Sequence, residues 1–287
     1  MFTITNDGHF RRPFHQGTAS NENHFFVYCD PINGDIHEIQ LEYADLGKAP
    51  GAASLPASIG NFPKLRLLEL RNNDFARIHP NVNQLSSLEV LDLSNNRIDQ
   101  EAAVLLRDID QIGASTNHGQ SRIKQLLLSR NRIRGSLPSF FADRMAEMEV
   151  LKLDSNDLQG PLPPHAFQKM HKLEVLSLHH NNLDGTLPSG RVIALSGLGR
   201  SGSLNSSLCP AGVGRLERLI EMSISNNRFT GPLPNFTHLT LLERFYAEHN
   251  RFVDGIPDSI AACQNLQDFD VSHNRFVSKA MLMRRCS

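Results

Sequence analysis

Residues 148–158 read MEVLKLDSNDL, and residues 173–183 read LEVLSLHHNNL. Counting the first residue of each as +0, apolar side chains stand at +0, +3, +5 and +10, and an asparagine stands at +8. The pattern recurs as LRLLELRNNDF from Leu65, LEVLDLSNNRI from Leu88, IKQLLLSRNRI from Ile123, LIEMSISNNRF from Leu219, LERFYAEHNRF from Leu242 and LQDFDVSHNRF from Leu266. A weaker copy, IHEIQLEYADL from Ile36, has Ala44 at +8. Self-similarity at a fixed period organises a chain more strongly than any local propensity.

The spacing dictates a shape. Positions +3 and +5 alternate with +4 and +6, so a short strand turns its apolar residues to one face and its variable residues to the other. Parallel strands from successive coils then stack at about 4.8 Å into a curved sheet. One coil cannot bury its own leucines, so the core exists only by stacking. Asn73, Asn96, Asn131, Asn156, Asn181, Asn227, Asn250 and Asn274 all occupy +8, where the chain leaves the strand and buries backbone polar groups. A carboxamide carries donors and an acceptor together, which assigns these eight a structural role. Several copies continue into GSLP, GPLP or GTLP, at Gly135, Gly160, Gly185 and Gly231, and Gly255 opens a shorter GIP. There glycine permits a tight bend and proline fixes an extended path.

This is the leucine-rich repeat. With a unit near 24 residues and the Gly-x-Leu-Pro extension, residues 25–277 resemble plant-type leucine-rich-repeat receptor ectodomains and related secreted proteins. FFVYCDPINGDIHEIQL (residues 25–41) resembles the end of the capping motif of that family. The resemblance implies an α/β solenoid of about nine to ten coils. A curved parallel β-sheet would form its concave face, 3₁₀ and short helices its convex face, and the extension a second, lateral strand. Residues 1–35 are then tail and cap, 36–277 the solenoid, and 278–287 a C-terminal tail. The chain departs from the family by having no tryptophan, no near partner for Cys29, and no Gly-x-Leu-Pro in the first two copies.

Two gaps break the period. Between Leu173 and Leu219, the segment 189–214 holds the run Val192-Ile193-Ala194-Leu195 and then Gly197, Gly199 and Gly202 in G-x-G-x-x-G spacing. A dinucleotide site needs a doubly wound sheet around such a turn, and the flanking solenoid leaves no room for one. The segment is either a degenerate coil starting at Leu195 or a looped-out insert. Between Ile98 and Ile123 the apolar residues Val104, Leu105, Ile109 and Ile112 have helical spacing, which predicts a short convex helix serving packing or docking.

Composition narrows the function. Hydrophobic residues at 40% and charged residues at 21% fit a packed soluble chain, and a net charge of −1 gives no footprint for nucleic acid. No apolar run reaches the length of a membrane span, and the first residues carry no signal peptide. No metalloprotease, calcium-loop, nucleophile-elbow, P-loop or kinase signature occurs, so no enzyme, cofactor or metal site is expected. Asn205 and Asn235 stand in glycosylation sequons. Cys263 and Cys286 lie 23 residues apart at nearly equivalent places, so a secreted chain would be expected to join them.

A ligand should meet the +4 and +6 columns, whose C-terminal half mixes aromatic, basic and acidic side chains. The candidate binding residues are Lys152, His179, His180, Tyr246, Glu248, His249, Asp270 and His273. His249 and His273 fall on adjacent coils at +7, which invites a pH-dependent pair, although +7 histidines also serve as plain exposed polar residues. The sequence predicts a recognition module for a protein or peptide, receptor-like and extracellular or membrane-associated by resemblance. The alternative is an intracellular scaffold or regulatory subunit using the same face.

Overall fold

The computed structural model describes residues 3–4, 9–11, 25–47, 53–141, 143–188 and 212–277. A 12-stranded sheet runs the length of the solenoid. Strands β1 (Thr3–Ile4), β2 (His9–Arg11), β3 (Phe25–Cys29) and β4 (Ile36–Leu41) pair antiparallel in sequence and form the N-terminal end. From β4 onward each pairing is parallel. The order is β5 (Leu67–Glu69), β6 (Val90–Asp92), β7 (Gln125–Leu127), β8 (Val150–Lys152), β9 (Val175–Ser177), β10 (Glu221–Ser223), β11 (Arg244–Tyr246) and β12 (Asp268–Asp270). Each begins at +2 of its copy, and the register matches +2 to +2 and +4 to +4, as in Val150↔Val175 and Lys152↔Ser177.

Leucines at +0, +3 and +5 fill the interior; Leu88, Leu91 and Leu93 are wholly buried. Each contributes about 1.5–3 kcal/mol against staying exposed. The asparagines close the coils as a ladder. Asn156 Oδ1 accepts from Ile133 N–H of the preceding coil at 3.0 Å, while its Nδ2 donates to the carbonyls of Leu128, Leu153 and Asp154 at 3.0, 3.1 and 3.2 Å. Asn73 bridges to the irregular first coil, accepting from Ala44 and Leu46 N–H, both at 3.1 Å. Each +7 residue, immediately before, has a left-handed backbone: Tyr43, Asn72, Asn95, Arg130, Ser155, His180, Asn226, His249 and His273 all have φ between 51° and 58°.

Lateral strands pair beside the main sheet. The Gly-x-Leu-Pro coils supply Arg134–Gly135, Asp157–Pro161 and Asn182–Asp184, then Thr230–Gly231 with Arg251–Phe252. Gly231 has φ +76°, and a Cβ there would come within 2.8 Å of Thr186 Cγ2. Ser54–Leu55 also pairs with Arg77–Ile78, so the early coils form a lateral strand without the glycine signal. The convex side carries 3₁₀ turns at Ala57–Asn61, Pro80–Gln84, Val213–Arg215 and Asp258–Ala262, and one α-helix, α1 (Ala102–Asp110). That helix buries Ala102, Leu105, Leu106 and Ile109 but leaves Val104 exposed, so of the helically spaced apolar residues Val104 alone stands on the outer side.

At the long gap the sheet passes directly from β9 to β10, with Leu176 opposite Met222. Leu195, where a degenerate coil would start, lies outside the described residues. Val213 N–H donates to the Pro188 carbonyl at 3.0 Å, as Ile59 N–H does to Pro56 in an uninterrupted coil. Pro188 and Val213, on either side of residues 189–211, are therefore neighbours in space. Val213 is fully buried, and a Cβ on Gly214 would strike the Asn235 carbonyl at 2.5 Å, so these two belong to the coil rather than the insert. The three glycines of the G-x-G-x-x-G spacing lie outside the described residues.

Candidate functional site on the concave face

Strand geometry turns +2, +4 and +6 toward the concave side, and the chemistry changes along it. Toward the N-terminus, Glu69 and Asp92 are neighbours in register, and burial, then the Asp92 charge, raise the Glu69 pKa. Arg71 pairs with Glu42 at 2.9 Å. Glu89 holds both Arg66 at 2.9 Å and Lys124 at 2.8 Å; burial pushes its pKa up, but hydrogen bonds from the two cations carry it lower overall. The +2 positions add half-buried apolar residues across neighbouring coils: Leu67, Val90, Val150 and Val175.

Toward the C-terminus the floor drops. Ser177, Ser223 and Ser225 are short and buried, so the sheet is recessed between taller neighbours. The hollow has a volume of about 350 Å³ and is bounded by His179, His180, Asn226, Glu221, Tyr246 and Glu248. His179 Nε2 lies 3.5 Å from Asp154 Oδ2, whose other oxygen accepts from Ser129 Oγ at 2.7 Å. Burial of the imidazole lowers its pKa and outweighs the attraction of Asp154, keeping the ring neutral at pH 7. Glu221 is bound by Arg244 at 2.9 Å. Tyr246 Oη donates to Asp268 Oδ2 at 3.2 Å, which fixes the ring as a wall. Glu248 Oε2 is buried and has no hydrogen-bond partner among the described residues.

The structure thus gathers four of the eight expected residues, His179, His180, Tyr246 and Glu248, around one hollow. Lys152 stands on β8, separated from Ser223 by Ser177 of the intervening strand. His249 and His273 form a separate stack on the exit rim, with centroids 4.2 Å apart and planes at 5°. Asp270 is exposed, and the Ser272 N–H that it accepts at 2.8 Å lowers its pKa. Glu221 and Arg244 were missed because the +2 column was not read. The serines were visible in the columns, but shortness draws attention only once its neighbours are known to be tall.

Cys263 is a buried free thiol whose Sγ donates to the Leu239 carbonyl at 3.2 Å; Cys286, its expected partner, lies outside the described residues. Asn235 is exposed, and its Oδ1 accepts from Thr237 N–H at 2.8 Å, while Asn205 lies outside the described residues. Among the described residues no group of three or more metal-ligating side chains comes together, and no helix is long and apolar enough to cross a membrane.

These features define a leucine-rich-repeat solenoid of the plant type. Family models described as Leucine rich repeat match residues 121–183, 84–106 and 218–239. Over 83 residues the chain is 37% identical to Receptor-like protein 9a of Arabidopsis thaliana, covering 29% of this chain and 8% of that relative. The fold is similar to that of the plant peptide hormone receptor RGFR1, solved in complex with RGF2, with TM-score 0.62 and 22% identity over 78% of this chain and 30% of the other. It is also similar to PEPR1 in its PEPR1–AtPEP1 structure, with TM-score 0.58 and 26% identity over 78% of this chain and 27% of the other. The chain spans less than a third of the length of each of these proteins.

Proposed function

We propose that this chain is a receptor-like recognition module that binds a peptide or protein along its concave face. The observation that carries the reading is the face itself. Parallel strands in register present +2, +4 and +6 side chains that the core does not use. They change from an apolar and acidic field to a recessed polar hollow within one continuous surface. Such a surface suits an extended ligand, with anchors in the hollow and a polar surround. The similarity of fold to a plant peptide hormone receptor solved in complex with RGF2 supports it further.

The test is selection of peptides by display on the purified chain. Selected peptides should lose at least about ten-fold in affinity for a Leu127→Glu, Lys152→Glu variant of the concave face and keep it for convex Lys169→Glu. Equal losses in both variants would overturn the reading. The intracellular scaffold remains a second reading because both described cysteines, Cys29 and Cys263, are free thiols. Non-reducing peptide mapping of protein from its native source separates the two. A disulfide through Cys263 supports secretion, and uniformly free thiols support the scaffold.

A further inference from the structure

We propose that the serine-floored hollow is a subsite for a guanidinium, the side chain of an arginine in the recognised peptide. This deepens the recognition reading and rests on it.

Two acids, Glu221 and Glu248, line the hollow, and Asp154 stands behind His179. Glu221 already holds Arg244 at 2.9 Å, and Asp154 takes Ser129 Oγ at 2.7 Å with His179 at 3.5 Å. Among the described residues, Glu248 alone is left with a buried oxygen that no hydrogen-bond donor satisfies. An N–H group entering beside Glu248 meets a carboxylate that no described donor already occupies. The donor with most to gain also carries positive charge. Burial lowers the pKa of His179, another wall of the hollow, and so disfavours its competing as a cation. A guanidinium fits the walls better than an ammonium. It is flat, it stacks on an aromatic face such as Tyr246, and its fixed fork reaches more than one acceptor at once. Tyr246 is anchored through its hydroxyl to Asp268, so its ring stands as a fixed wall of the hollow. Below, Ser223 and Ser225 supply hydroxyl oxygens that accept further N–H groups.

The test uses N-acetyl-arginine amide, the isosteric but neutral N-acetyl-citrulline amide, and N-acetyl-lysine amide, each titrated into the isotopically labelled chain by NMR. The arginine probe should shift the Tyr246 ring and the His179 resonances saturably, with the lysine probe weaker and the citrulline probe weaker by about ten-fold or more. Glu248→Gln, which preserves size, should remove most of the difference between arginine and citrulline while circular dichroism stays unchanged. Ser223→Leu, which fills the floor, is the second variant and should abolish binding. Equal affinity for arginine and citrulline, or unchanged arginine binding in either folded variant, overturns the proposal. Display binders that map to the concave face but ignore Glu248→Gln overturn this subsite alone. Failure to select any concave-face binder overturns the broader reading, and the probe titration still decides the hollow.

Discussion

At the scale of single residues, the asparagine ladder has a measurable weight. Asn156 supplies one acceptor and two donors across two coils, and no smaller side chain reproduces that set. Asn156→Ala should lower the unfolding free energy by about 2–4 kcal/mol, because it strands buried backbone groups as well as losing its own bonds. Urea titration followed by circular dichroism checks it. The neighbouring left-handed position behaves differently. Ser155 has φ 55°, so Ser155→Gly should be neutral or slightly stabilising, whereas Ser155→Val should cost about 1–2 kcal/mol. Equal stability of the two variants would refute that account. The ladder was legible in the sequence because one residue type recurs at one place. The left-handed position was only half legible: Asn, His and Ser at +7 look like ordinary exposed polar residues until their shared backbone angle is seen. The Glu248 oxygen was not legible at all, since being without a partner is a property of three coils together.

At the scale of elements, the period identified the strands and the spacing of residues 98–123 identified α1. Residues 189–214 read equally as a degenerate coil or an insert because their weak apolar run imitates a coil, while the flanking strands β9 and β10 pair directly. The hydrogen bond from Val213 to Pro188 gives a sharp expectation. Replacing residues 189–212 with two residues should leave a cooperatively folded chain, its midpoint lowered by only a few degrees at most, by thermal scan. Carrying the deletion through Val213 and Gly214 should be far more damaging, because Val213 fills the core. The helix makes a pH prediction. Asp110, at its C-terminal end, lies 3.3 Å from Arg144 Nε and accepts from Arg144 N–H, yet burial lifts its pKa from 3.8 to about 6. The folded state therefore holds the proton more tightly, so this stabilisation is complete below pH 3.8 and lost as pH rises through about 6. Relative to Asp110→Asn, the parent chain should lose about 2–3 kcal/mol between pH 4 and pH 7. Denaturant midpoints measured for both proteins across that range decide it.

At the scale of the whole molecule, a solenoid is a one-dimensional stack whose stability follows from its neighbours. The N-terminal end is closed by antiparallel pairing with β3, while β12 ends the described sheet. Leu266, Phe269, Val271 and Phe276 are only partly buried there, although Leu173, Leu176, Leu178 and Leu183 at the equivalent positions are sealed. Amide exchange should accordingly be at least about ten-fold faster across residues 266–277 than across β8 and β9, by mass spectrometry; uniform protection would contradict a graded stack. The fold was readable at this scale from repetition alone, whereas the site was readable only as columns, since depth and charge pairing arise between coils. The left-handed exit residues carry a last consequence, for evolution rather than energetics. Selection can sample only a reduced alphabet at those nine places, because branched side chains and proline are filtered out by the backbone. Diversification toward new ligands is thereby channelled into +2, +4 and +6, leaving the exit edge as a conservative frame around a changeable face.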